Sequence, residues 1–178
     1  MRVLVADDEE PIRELLAAYL GGRGHIVELA ADGRDAIARI RHDPPDVVAS
    51  NLTMPGADGL EVLRAAAAVG VPAVLLTGYG SVETTVAAFQ EGARALLVKP
   101  FKLRDVHAAL ERAVADARAD RHRRWAEAAV ALLRDAGREE PAAVEARLVA
   151  LLAAARPEAP EAIAVAAAVR SAQGRSRR

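Results

Sequence analysis

The 178-residue chain contains no cysteine, which excludes disulfides and thiolate metal centres and accords with a reducing compartment. Aromatic residues make up only 3% of it, so any core has to be built from aliphatic side chains. No apolar run approaches the roughly 18 residues that a membrane-crossing helix needs. The opening Met1-Arg2-Val3-Leu4-Val5-Ala6 lacks the length and cleavage pattern of a signal peptide. The cytoplasm is therefore the expected location. There is no Gly-rich phosphate loop ending in Lys-Ser or Lys-Thr, which excludes an ATPase of that type. The formal net charge is only −1, but its distribution is uneven. Residues 1–118 carry 13 basic and 17 acidic side chains, and residues 119–178 carry 11 and 8. So small a basic excess, interleaved with glutamate, fits a solvated helix surface better than a nucleic-acid footprint.

What is present is a five-fold alternation over residues 1–118. Short apolar runs at Val3–Ala6, Ile26–Leu29, Val47–Ser50, Ala73–Leu76 and Ala95–Val98 read as parallel strands covered on both faces. Helical patterns separate them at Pro11–Leu20, Arg34–Arg41, Gly59–Ala68 and Ser81–Gln90, with a last one from Leu103 onward. Gly21-Gly22, Pro44-Pro45 and Gly92 punctuate the pattern, and Pro11 suits a first helical turn. Such alternation implies right-handed crossovers and an α/β fold with a doubly wound, five-stranded parallel sheet. A C-terminal α-helical extension occupies residues 119–178.

In open sheets of this kind ligands bind at the carboxyl ends of the strands. Asp7 and Asp8 follow the first strand, Asn51 follows the third, Thr77 the fourth and Lys99 the fifth. An adjacent acidic pair at a strand end suits Mg²⁺, a hard cation that takes oxygen ligands and keeps several waters. The same Asp7-Asp8-Glu9-Glu10 cluster also suits a helix N-terminus, where the macrodipole favours anions. Both readings stand at this level.

Together, Asp7-Asp8, the segment Asn51 to Gly59, Thr77 and Lys99-Pro100-Phe101 resemble the receiver domains of two-component response regulators, over essentially all of residues 1–118. The stretch from Thr77 to Thr84 particularly resembles receivers attached to sigma-54 activators. The resemblance implies a flavodoxin-like fold and an aspartate at position 51 that accepts a phosphoryl group. Mg²⁺ and the lysine would offset charge on the equatorial oxygens. By the same resemblance Asp8 ligates Mg²⁺ directly, Asp7 acts through water, and the backbone carbonyl of Thr53 completes the protein ligands. Thr77 would hold the phosphoryl group, and its shift would be read out on the face formed by the fourth helix and fifth strand. A cis peptide before Pro100 would aim Lys99 into the site.

Two positions depart from the family pattern. Asn51 stands where Asp is expected, and its neutral amide oxygen, with a delocalised lone pair, is no nucleophile. Losing that charge also weakens Mg²⁺ binding and leaves Lys99 to make do with a hydrogen bond instead of an ionic partner. Leu96 stands where receivers place a Tyr or Phe whose rotation reports phosphorylation. A natural loss and a laboratory substitution at position 51 are both open, and regeneration of Asp by deamidation is slow before the bulky Leu52.

The tail carries no familiar output module. The fifth helix continues through the charged Arg121-His122-Arg123-Arg124 to a stop near Gly137, followed by helices at Pro141–Ala155 and Glu161–Ala172. Asp120, Arg121 and Arg124 break any heptad. Trp125 reads as a packing anchor, and His25, His42 and His107 as surface residues. His122, within its basic run, lacks the rest of a phosphotransfer motif.

The functional expectation is a response regulator receiver in a phosphorelay. It acts by protein contact, with its own phosphorylation blocked. A sensor histidine kinase or phosphotransfer protein is the expected partner, and the helical tail would self-associate or dock a protein. The alternatives are a phosphorylation-independent pseudo-receiver scaffold and, on the basic tail alone, a DNA-binding regulator. Neither a membrane nor catalysis on an external small molecule is expected.

Overall fold

The five apolar runs pair as parallel strands β1 (Arg2–Ala6), β2 (Ile26–Ala30), β3 (Val47–Asn51), β4 (Ala73–Thr77) and β5 (Ala93–Val98). Their order in the sheet is β2-β1-β3-β4-β5, the flavodoxin-like arrangement whose switch point lies between β1 and β3. The computed structural model describes residues 1–78, 81–136, 139–155 and 164–169. These divide into two units, Met1–Ala117 and Arg118–Arg178.

In the first unit the helices are α1 (Glu10–Gly21), α2 (Gly33–His42), α3 (Gly59–Ala68), α4 (Val82–Gln90) and the opening turns of α5 (Leu103–Asp135). Local chemistry fixes where several begin. Asp32 accepts from Asp35 N at 2.9 Å ahead of α2, and Ser81 accepts from Thr84 N at 3.1 Å ahead of α4. Asp58 and Glu61 form a reciprocal capping box at α3.

Strand alternation divides the core into two layers. Leu4, Val48 and Leu75 pack with Ile40, Val62, Leu63 and Ala88 on one face of the sheet. Val3, Val5, Val47, Val74 and Leu76 pack with Leu16, Leu20, Val106 and Leu110 on the other. Both layers are almost wholly aliphatic, as the shortage of aromatics requires.

β5 begins two residues before its apolar run suggests. Gly92 turns the chain at φ +95°, Ala93 pairs with Ala73, and the next pair is Val74 with Ala95. Arg94 is the extra residue of this bulge, so its charge interrupts the hydrophobic pattern within a real strand.

His25 and His107 are not the surface residues their sequence context suggests. The Gly22–Gly24 turn after α1 delivers His25 against α5, and the two rings lie with Nε2 atoms 2.8 Å apart. His25 Nδ1 is buried without a hydrogen-bond partner, and Tyr19 meets the His107 ring edge-on at 6.5 Å. His107 is half-buried because it follows the fully buried Val106 on the face of α5 that packs on the sheet.

In the second unit the rest of α5 and α6 (Pro141–Ala155) share a small core of Leu132, Ala136, Val144 and Val169. Arg147 joins them by ion pairs to Asp135 and Glu139. Trp125 is buried, whereas Arg121, His122, Arg123 and Arg124 are exposed. Of the expected third helix, residues 164–169 are helical, and the remainder lies outside the described residues, as does Gly137. Among the described residues no helix is long and apolar enough to cross a membrane.

Candidate functional site

The carboxyl edge of the sheet gathers the expected residues into two linked clusters. Asp7 follows β1 and is fully buried, a position that a carboxylate tolerates only with a partner. Lys99, leaving β5, supplies one: its Nζ lies 2.9 Å from Asp7 Oδ2 and 2.8 Å from Glu9 Oε1. The Lys99 main-chain N–H donates to Thr77 O at 2.7 Å, which ties this cluster to the end of β4. Thr77 itself is buried, and the Lys99–Pro100 peptide is cis. Burial acts against the Lys99 charge, but its hydrogen bonds to Glu9 and Asp7 outweigh burial and hold the ammonium pKa above its ordinary value.

The second cluster centres on Asn51, at the end of β3. Its Nδ2 donates to Asp8 Oδ1 at 2.8 Å and to the main-chain oxygen of Thr53 at 2.9 Å. Its Oδ1 lies 3.0 Å from Leu52 N, an N–H shared with Leu76 O at 2.9 Å. The loop carrying Thr53 is shaped by close contacts that only glycine permits. A Cβ on Gly59 would stand 2.3 Å from Asn51 O, and one on Gly33 would stand 2.0 Å from Ala57 O.

One expectation is corrected here. Lys99 is not reduced to a neutral hydrogen bond by the amide at position 51; two carboxylates hold it. Buried Asp7 requires a cation, and Glu9, at the start of α1, is within reach. Sequence reasoning also passed over Arg13, whose Nη1 donates to the main-chain oxygens of Asp7 and Asp8 at 2.7 and 2.9 Å. A basic residue so near a helix N-terminus works against the macrodipole, and that oddity was the available signal. Leu96 is half-buried and packs into the core layer that contains Ala88 of α4.

A family description, response regulator receiver domain, matches residues 3–111. The chain belongs to the response regulator receiver family. A response regulator MprA of Mycolicibacterium vanbaalenii is 43% identical over 108 residues, covering 60% of this chain and 47% of that protein. The chain thus spans about half the length of the curated relatives it matches. Among solved structures, a CheY-like response regulator receiver from Methanospirillum hungatei superposes with a TM-score of 0.63 at 26% identity, over 67% of this chain and 97% of its own. Chemotaxis protein CheY4 of Vibrio cholerae gives 0.59 at 34% identity, over 63% and 97%. Each of the three likenesses covers about two thirds of this chain or less.

For a receiver, the family implies Mg²⁺ among Asp7, Asp8 and the Thr53 carbonyl. The donor set of this receiver does not suit it. An amide N–H₂ lies between the Asp8 carboxylate and the Thr53 carbonyl, and both Asp7 oxygens are engaged, by Lys99 and by Glu9 N at 3.0 Å. Among the described residues no three His, Cys, Asp or Glu side chains are grouped to hold a metal ion.

Proposed function

We propose that this receiver works through protein–protein contact without accepting a phosphoryl group itself. In this reading Asn51 stands at the phosphoacceptor position. One observation carries the proposal: an amide, bonded on its nitrogen side to Asp8 and Thr53, occupies the end of β3. A nucleophile there needs a free, negatively charged oxygen. Asn51 offers a neutral one, turned towards Leu52 N. The partners of this reading are a sensor histidine kinase or phosphotransfer protein, with the helices after residue 118 contacting a further protein or a second copy.

The test is intact-mass measurement after incubation with acetyl phosphate and MgCl₂. The chain as it stands takes up no phosphoryl group, and the Asn51→Asp variant takes up one. Uptake by the unaltered chain refutes the proposal, and absence of uptake by Asn51→Asp removes position 51 from the chemistry.

Leu96 favours a second reading, a scaffold independent of phosphorylation altogether. A leucine packed beside α4 has neither a ring to reorient nor a hydroxyl to display. Under this reading phosphorylated Asn51→Asp keeps the oligomeric state and partner affinity of the unphosphorylated variant. A change in either, by sedimentation or titration, returns the assignment to an ordinary switch interrupted at one residue.

A further inference from the structure

We propose that the Asn51 side-chain amide replaces the divalent cation of this pocket, so that the site is closed to Mg²⁺ and held together without it. A cation at this edge would draw the loop after β1 and the loop after β3 onto a common centre through oxygen ligands. Here an N–H₂ group does that. A primary amide has two donor hydrogens, and both are spent on the oxygens a cation would take: Asp8 Oδ1 at 2.8 Å and Thr53 O at 2.9 Å.

The orientation of the amide follows from its neighbours. Leu52 N–H can only donate and the Thr53 carbonyl can only accept, so turning the amide over sets N–H against N–H and oxygen against oxygen. A Mg²⁺ ion entering between Asp8 and Thr53 must displace the nitrogen and break both of its hydrogen bonds. It also meets positive charge already in place. Lys99 holds Asp7 and Glu9, and the Arg13 guanidinium lies on the main-chain oxygens of Asp7 and Asp8.

This goes beyond a missing nucleophile. A site that had merely lost one negative charge would bind Mg²⁺ weakly whatever neutral residue stood at position 51. A site occupied by an amide binds it more weakly than one with no side chain there. The two cases separate on the variant Asn51→Ala, which keeps the charge of the chain and removes the amide.

The experiment is calorimetric titration of the full chain with MgCl₂, alongside thermal unfolding with and without the salt. The unaltered chain gives no saturable heat and no shift in melting temperature, whereas Asn51→Asp gives both. Asn51→Ala binds Mg²⁺ more tightly than the unaltered chain by on the order of tenfold or more, the equivalent of a displaced hydrogen bond. Equal affinity of the Ala variant and the unaltered chain overturns the proposal, as does binding by the unaltered chain as tight as by Asn51→Asp. If the Ala variant does not fold, the side-chain amide resonances of Asn51 in the unaltered chain decide. They stay fixed through millimolar MgCl₂ if the amide holds its place, and a saturable shift overturns it. The outcome is separate from phosphoryl uptake, because a chain that takes up no phosphoryl group can still bind the ion.

Discussion

Lys99 and Asp7 join the two ends of the receiver: the ammonium at the end of β5 lies 2.9 Å from a carboxylate oxygen of a fully buried residue after β1. Replacing Lys99 by Ala leaves Asp7 buried without its cation. The expected cost is about 3 kcal/mol, at the low end for a broken buried pair because Lys99 keeps some contact with solvent. Urea denaturation of Lys99→Ala measures it, and the double variant Asp7→Asn, Lys99→Met recovers part of the loss. The Lys99 pKa is raised, so its contribution is complete below the unfolded value near 10.4 and is lost only as pH rises through the folded one. Between neutrality and that alkaline limit the effect of Lys99→Ala is independent of pH.

The paired rings of His25 and His107 give the receiver a sensitivity to acid. Burial, then the positive N-terminal amino group and His107, push the His25 pKa below its ordinary value, with Glu111 pulling the other way and Arg23 adding to the depression. A depressed pKa means that the folded form favours neutral His25. Its contribution is present above the unfolded value of about 6.5 and declines as pH falls from there through the folded value. Urea midpoints at about pH 7.5 and 5.5, on either side of that unfolded value, should fall on acidification and fall less in His25→Phe. Equal losses in both proteins would remove His25 from the account.

Gly59 admits the main chain of β3 at a distance no Cβ tolerates, 2.3 Å from Asn51 O and 2.8 Å from Leu52 Cα. Both atoms are backbone and cannot swing aside. Gly59→Ala is expected to cost about 1–3 kcal/mol, the range for overpacking. The displacement falls on the loop that carries Thr53, so the Asn51 side-chain amide resonances move with it. A variant with unchanged melting temperature and unchanged resonances contradicts this placement.

In the second unit Leu132 is almost fully buried among Ala136, Val144 and Val169. Leu132→Ala should cost that unit about 2–5 kcal/mol. Hydrogen exchange should then accelerate across α6, while amides of β1 and β3 keep their protection. Uniform acceleration in both units would mean that they unfold together.

The strand ends were the legible part of the site. Five short apolar runs fix which residues leave the sheet at its carboxyl edge, so Asp7, Asp8, Asn51, Thr77 and Lys99 could be placed there from spacing alone. Their pairing was not legible. Whether Lys99 turns to position 51 or to Asp7 depends on side-chain reach and on the burial of Asp7, and neither leaves a periodic trace. Arg13 was hidden because it sits in a helical pattern that its own helix already explains, and Glu9 because its acidic run already suits a helix N-terminus. His25 and His107 lie 82 residues apart and meet only because the turn after α1 brings His25 against α5. The start of β5 was obscured by Arg94, whose charge is carried outward by the bulge.

Two main-chain bonds flank the pocket, Leu52 N to Leu76 O and Lys99 N to Thr77 O, and both end on β4. The rim is therefore stitched to a central strand by atoms that every amino acid except proline possesses. Side chains along it can be exchanged while the scaffold under them keeps its dimensions. Such a frame can outlast the chemistry it once surrounded, and a later occupant finds its anchor points already spaced.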